Sequence, residues 1–169
     1  MAQLNRRKLL KVGLGSTVLI GVGGVALGCW PGAGSRAPDS LRVLDDGEFA
    51  VVVALAEAVI DIAGERRPTA EDVGVAEKVD AYLDTLHPAS VAEVRTALAL
   101  LENALTGVFV DCRVGPFSRL SLAERRRVVS AWQTSRHTVL RTAMKALLGL
   151  VLAPYWSDPT TFEFVGYPA

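Results

Sequence analysis

The sequence has 169 residues, of which half are hydrophobic and 7% aromatic, and this length favours a single domain. Its 18 basic residues (Lys and Arg) equal its 18 acidic residues (Asp and Glu), but four of the basic residues and none of the acidic ones precede residue 29. The rest of the chain has 14 basic and 18 acidic residues, a net charge of about −4. Such a mildly acidic body gives no reason to expect nucleic-acid binding.

The first 29 residues have the three parts of an export signal: a basic N-terminal region, an uncharged apolar stretch of 16 residues (12–27) and small residues near a possible cleavage site. Adjacent arginines before a hydrophobic pair and a lysine are similar to twin-arginine signals. The residues that carry this pattern are Arg6, Arg7, Leu9, Leu10 and Lys11. A transmembrane anchor is the alternative, but 16 apolar residues are fewer than the about 20 that span a bilayer. We therefore predict a twin-arginine signal peptide at 1–29; an uncleaved signal that acts as an anchor stays open.

The predicted route of export bears on function. The twin-arginine translocase carries folded proteins, so its use indicates a bound cofactor or a partner that is assembled before export. We therefore expect the chain in the periplasm or at an extracytoplasmic membrane surface.

The two cysteines each have two interpretations. Cys29 follows Ala26-Leu27-Gly28, which resembles a lipobox, and lipidation there would tether the mature N-terminus to a membrane. The alternative is ordinary cleavage nearby, with Ala26 and Gly28 as the small residues before the cut. If Cys29 is lipidated or removed, Cys112 has no second cysteine in the chain to pair with in an oxidising compartment. It would then form an intermolecular disulfide or remain a buried free cysteine.

After a linker rich in Pro, Gly, Ser and Arg (30–44), the domain 45–169 shows helical periodicity and no convincing strand alternation. Asp45, Thr69, Ser90 and Ser121 are the expected N-caps, and Ser121 begins a capping box with Glu124. Prolines are expected to end the second and fifth helices. The five predicted helices are 45–63, 70–86, 90–110, 121–132 and 138–152. The expected fold is all-α, an irregular bundle of about five helices followed by an aromatic tail.

Three surface features of the domain have two interpretations each. The basic run Arg125–Arg127 is either a solvated helix face or a contact for an acidic partner or lipid headgroups. The run Leu147–Leu152 is apolar on all sides, which predicts a central helix or one covered by another protein. The aromatic residues of the tail either complete the core or anchor a protein interface.

The search for chemical motifs is mostly negative. The domain has no GxGxxG after a strand, no CxxC and no HExxH, and the two histidines, His87 and His137, have no second ligand at a metal-like spacing. We interpret His87 as a cation at the end of the second helix. We predict no catalytic, cofactor-binding or metal-binding residue in this chain. A small exported enzyme that uses Cys112 or a histidine is the rival hypothesis.

Several segments in order resemble the gluconate 2-dehydrogenase subunit 3 family. They are the export signal, the helix Phe49–Ile60, the segments Val73–Val75 and Val79–Leu83, the segment Pro116–Arg125 and the tail segments Tyr155–Pro159 and Val165–Tyr167. The chain departs from the family pattern after Ile60, where Asp61-Ile62 stands instead of Ile-Pro and the proline is delayed to Pro68. The resembling segments span about residues 5–167.

The resemblance implies a non-catalytic small subunit that escorts a large FAD-dependent dehydrogenase of the glucose-methanol-choline type through twin-arginine export and stabilises it. FAD is expected in the partner and no cofactor in this chain, and a multihaem cytochrome c subunit often completes such complexes. From composition and tail position, we predict these residues at the partner interface: Trp132, Tyr155, Trp156, Phe162, Phe164 and Tyr167. The alternative function is an independent membrane-tethered lipoprotein or binding module.

Overall fold

The computed structural model describes residues 41–62, 66–103 and 115–166, and within these ranges all regular structure is helical. The α-helices are α1 (Asp46–Ile60), α2 (Ala70–Val73), α3 (Val75–Asp84), α4 (Pro88–Glu102), α5 (Leu122–Gln133) and α6 (Thr138–Trp156). Two 3₁₀ segments, Phe117–Arg119 and Pro159–Val165, precede α5 and follow α6. The predicted all-α fold is confirmed, with five helices of ten residues or more in the described ranges.

Local capping explains where three of the helices begin. Asp45, Thr69 and Ser121 each accept a hydrogen bond from the backbone N–H three residues later, and the acidic side chain at that later position accepts from the cap backbone. These reciprocal bonds satisfy donors that a helix start otherwise leaves unpaired. All three of these N-cap predictions are confirmed.

The helix boundaries around α3 differ from the predicted ones. Gly74 separates α2 from α3 because it adopts a left-handed conformation (φ 66°) that a glycine reaches without steric cost. The N-cap of α4 is His87 rather than Ser90, and Pro88 occupies the first turn, where its missing N–H leaves no bond unmade. The His87 Nδ1 accepts the Ala89 N–H at 3.2 Å, so His87 caps the start of α4, whereas we expected it at the end of the second helix.

We predicted that Pro154 ends the last helix, and this was wrong: α6 continues to Trp156. The extension is held by a tertiary contact, since the Tyr155 side chain is fully buried and its hydroxyl donates to the Pro68 carbonyl at 2.7 Å. The Ser157 N–H then bonds the Ala153 carbonyl at 3.0 Å. Burial of a tyrosine in the last turn therefore outweighs the loss of the proline N–H.

The first helix is the centre of the bundle. It packs against α2, α3, α4, α5, α6 and the 3₁₀ turn before α5. Such all-round contact requires a helix that is apolar on nearly every side. Its buried residues are Phe49, Ala50, Val51, Val52, Ala54, Leu55, Ala56, Ala58 and Ile60.

The last helix, α6, is the longest and borders the core along one side. Its buried side chains recur every three or four residues, as a helix with one core-facing stripe requires. They are Leu140, Met144, Leu147, Val151 and Tyr155. By length and composition α6 is also apolar enough to cross a membrane. Its five buried side chains nevertheless pack among α1, α3, α4 and α5, which is the arrangement of a bundle helix.

Candidate partner interface

The segment before α1 is bound to the bundle by one carboxylate. Asp80 on α3 accepts three backbone hydrogen bonds: Oδ2 from Arg42 N–H at 2.7 Å, and Oδ1 from Val43 N–H at 2.9 Å and Leu44 N–H at 2.8 Å. Leu44 is buried in the core. The last four residues of the predicted linker (41–44) are therefore packed, and the chain reaches α1 from a defined point on the surface of α3.

Asp80 stays charged although it is only 3% exposed. Burial raises the pKa of its carboxyl group, but the N–H donors of Leu44, Arg42 and Val43 outweigh burial and leave the pKa below its ordinary value. Sequence reasoning assigned Asp80 no role. The available signal was an acidic residue within the apolar stripe of α3, where a buried carboxylate requires hydrogen-bond donors.

Two of the predicted interface residues are core residues. Trp132 on α5 and Tyr155 on α6 both have 0% exposure within the single chain. A partner cannot contact either side chain while the bundle is folded, so their prediction as interface residues was wrong. Burial is the role that large aromatic side chains take when enough helices surround them.

The three remaining predicted interface residues in the described part of the chain lie at the surface and form what we call the tail corner: Trp156, Phe162 and Phe164. Trp156 and Phe162 are half-buried, and Phe164 is 41% exposed. The Trp156 ring meets the Tyr155 ring edge to face with centroids 4.8 Å apart, and the Arg67 guanidinium lies 5.9 Å from the Trp156 ring centroid. Tyr167, Cys29, Cys112 and the export-signal residues lie outside the described residues.

The tail corner is held on the bundle by Asp158. Its carboxylate caps the C-terminal 3₁₀ segment by accepting the Thr160 N–H at 2.9 Å, and it forms an ion pair with Lys78 of α3. Thr161, which is fully buried, donates to the Asp158 carbonyl at 2.8 Å. The hydrogen bond from Lys78, followed by those from Thr160, lowers the pKa of Asp158 to about 2. These bonds turn the chain after α6 and present Phe162 and Phe164 beside the end of that helix.

The comparison with protein families decides the identity of the bundle. The family model described as gluconate 2-dehydrogenase subunit 3 matches residues 46–168, from the first residue of α1 through the tail corner. The chain belongs to this family. No curated protein sequence and no solved structure matches it at a significant level. The family name describes a subunit of a multi-subunit dehydrogenase, so the resemblance in the sequence is confirmed.

In this gluconate 2-dehydrogenase subunit 3 domain, two of the three arginines of the basic run hold the end of α1. Arg125 pairs with Glu57 and donates to the Ser118 carbonyl at 2.7 Å, and its side chain is 15% exposed. Arg126 donates to the carbonyls of Ala58 (3.2 Å) and Asp61, which are among the acceptors that a helix C-terminus leaves unpaired. Arg126 is nevertheless exposed, and Arg127 is 77% exposed. The basic run therefore serves mainly to join α5 to α1.

The histidines of this family member are peripheral. His87 caps α4, and His137 is exposed before α6, where its Nε2 accepts the Arg136 Nε–H at 3.4 Å. Among the described residues, no group of three His, Cys, Asp or Glu side chains could hold a metal ion. The tail corner, in contrast, is a surface feature of the described subunit 3 domain that suits a macromolecular partner.

The Lys78–Asp158 pair predicts a pH-dependent attachment of the tail corner. The pKa of Asp158 in the folded state, about 2, lies below its ordinary value of 3.8, so the pair stabilises the fold above pH 3.8. This contribution is lost as the pH falls from 3.8 towards 2. Asp158→Asn keeps an acceptor for Thr160 but loses the charge. We expect its midpoint of urea unfolding to be lower than that of the wild type at pH 7, and the two midpoints to converge near pH 2. Glu163→Gln, an exposed change on the same segment, is the control, and a pH-independent deficit of Asp158→Asn would contradict the assignment.

Proposed function

We propose that this chain is the non-catalytic small subunit of an FAD-dependent dehydrogenase of the glucose-methanol-choline type. It escorts the folded flavoprotein through twin-arginine export and remains attached to it outside the cytoplasm. The observation that carries the proposal is membership of the whole helical domain in a family of dehydrogenase subunits. The flavoprotein contributes the FAD and the substrate chemistry.

The twin-arginine pattern at Arg6 and Arg7 supports the escort role. A cargo that travels folded must already contain its cofactor, so the flavoprotein would acquire FAD in the cytoplasm before the small subunit binds. The Asp80 contacts also support the escort role. They tie the end of the N-terminal segment to the bundle, so the export signal extends from the domain that binds the cargo.

The exposed apolar side chains support attachment to a protein. Phe162 and Phe164 follow Trp156 by six and eight residues, and these aromatic types are enriched where proteins bind one another. A half-buried tryptophan next to an arginine also has the composition of an interface anchor. The tail corner is therefore the part of the predicted interface that we retain, together with Tyr167.

Affinity purification of the tagged chain from the exported and the cytoplasmic fractions tests this function. We expect a large subunit with flavin absorbance to co-purify from the exported fraction of the wild type. In the double variant Arg6→Lys, Arg7→Lys both proteins should stay in the cytoplasm, because lysines keep the charge but not the paired guanidinium groups. Lys8→Arg is the matched control and should leave export intact.

Two outcomes would contradict the proposal. A lone, colourless protein in the exported fraction would favour the lipoprotein or binding-module alternative, and mass spectrometry of the residue at position 29 would then identify a lipid. A flavoprotein that reaches the exported fraction normally with the double variant would remove the escort role, even if the two subunits still bind one another.

A further inference from the structure

A second stripe of side chains runs along α6 next to its buried stripe. The buried residues are Leu140, Met144, Leu147, Val151 and Tyr155. Each has a neighbour one residue later in the chain that lies on the side of the helix bordering solvent. We call this set the outer stripe: Arg141, Lys145, Leu148, Leu152 and Trp156. Its spacing of three and four residues keeps all five side chains on one side of α6.

The outer stripe changes character along the helix axis. Arg141 and Lys145 are exposed, whereas Leu148, Leu152 and Trp156 are half-buried and border the core. Residues 146–157 contain no charged side chain. The first two turns of the stripe are therefore basic, and the last three are apolar and end at the tail corner.

The charges of the stripe are not balanced within the described chain. Residues 125–157 contain six Lys and Arg residues and no Asp or Glu, whereas residues 45–102 contain thirteen acidic residues and four basic ones. Arg141 donates to the neutral Ser135 carbonyl at 2.5 Å and the neutral Thr138 hydroxyl at 3.2 Å. In the described ranges neither Arg141 nor Lys145 forms an ion pair. Among the described residues, the basic end of the stripe therefore has no acidic partner, and it can accept one from another molecule.

We propose, on the basis of the proposed function, that the outer stripe is the docking site for an amphipathic helix or ridge of the flavoprotein subunit. Apolar side chains of that element cover Leu148, Leu152 and Trp156, and its acidic side chains face Arg141 and Lys145. Heptad-like spacing suits helix-on-helix packing at a shallow crossing angle. The basic end fixes the direction in which the partner lies, because reversal would place its acidic residues against leucines.

Other occupants fit the stripe less well. A second copy that docked through its own α6 would bring no acidic residue, since residues 125–157 contain none, and the predicted export segment has none before residue 29. A helix that lies on a membrane keeps an apolar side to the lipid along its whole length and basic residues around its axis. On α6 the change from basic to apolar runs along the axis instead. An acidic and apolar protein element is the occupant that matches both halves.

Substitutions on α6, each with a matched control, test the docking site. The measured quantity is the flavin absorbance that co-purifies per mole of small subunit, which we call retention. We expect Lys145→Glu and Leu152→Glu each to lower retention by roughly tenfold or more. The matched controls are Thr142→Glu and Ala153→Glu, which add the same charge at exposed neighbouring positions and should stay within about twofold of the wild type. Wild-type retention should fall between about 50 and 300 mM salt, and Lys145→Glu should remove most of that dependence.

The outcomes separate the docking site from the proposed function. A wild-type chain that retains no flavoprotein contradicts the proposed function. Lys145 is exposed, so we expect Lys145→Glu to fold, and circular dichroism checks this. If the folded variant retains as much flavoprotein as the wild type, the proposed docking site is wrong and the proposed function stands. Binding of the wild-type complex to phosphatidylglycerol vesicles that Lys145→Glu abolishes, with flavoprotein retention unchanged, would assign the stripe to lipid. A small-subunit dimer that Leu152→Glu dissociates, again with retention unchanged, would assign it to a second copy.

Discussion

Replacement of Trp132 by alanine is expected to lower the free energy of unfolding by about 3–5 kcal/mol, the usual range for a fully buried tryptophan. The side chain has no exposed surface and belongs to the core cluster, so its removal leaves a cavity that the neighbouring helices cannot fill. Urea denaturation followed by circular dichroism measures the change. The flavoprotein retained per folded molecule should be unaffected, because Trp132 does not reach the surface.

The matched variant is Trp156→Ala on α6, where the same residue type is half-buried. We expect a smaller loss of stability, about 1–2 kcal/mol, because less apolar area leaves the core. Retention of the flavoprotein should fall, because Trp156 belongs both to the tail corner and to the outer stripe. A Trp132→Ala protein that is fully stable but loses its partner would show that the core and the interface had been assigned the wrong way round.

Replacement of Asp80 by asparagine is expected to lower the free energy of unfolding by about 2–3 kcal/mol. The carboxylate accepts three backbone N–H donors, and an amide of the same shape offers one acceptor oxygen and turns an NH2 group towards the remaining donor or donors. Hydrogen exchange of the amides of residues 42–44 should accelerate more than that of α1, because the segment loses its acceptor first.

Asp84→Asn is the matched control, one turn further along α3. Asp84 pairs with Arg42 at 3.5 Å, but both side chains are more than half exposed. Exposed ion pairs contribute little, so we expect a change within about 0.5 kcal/mol. Equal effects of the two substitutions, or unchanged exchange at residues 42–44 in Asp80→Asn, would show that the buried carboxylate does not hold the segment.

The Asp80 contacts relate the fold to the proposed export role. The acceptor lies on α3 and the donors precede α1, so the three bonds exist only when both parts of the bundle have come together. The position from which the N-terminal segment leaves the domain is therefore a property of the folded state. A translocation route that accepts folded cargo is compatible with a signal attached in this way.

Much of the helical framework could be predicted from the sequence because it depends on contacts between residues three or four positions apart. The capping boxes at Asp45, Thr69 and Ser121 use a side chain and a backbone group within one turn, and both are visible in the chain. The periodic apolar residues of α6 likewise specify a helix with one core-facing side. The order of the short segments sufficed to identify the family.

The tertiary structure decided the features that depend on residues far apart in the chain. The last turn of α6 passes Pro154 because Tyr155 reaches the Pro68 carbonyl, 87 residues away. Arg126 bonds to the end of α1, and its acceptors lie 65 and 68 residues away in the chain. Composition told us that the chain has aromatic residues suited to an interface, but not that Tyr155 is in the core and Trp156 at its edge. Local propensity and periodicity set the helices, whereas the burial of each side chain depends on how five helices surround α1.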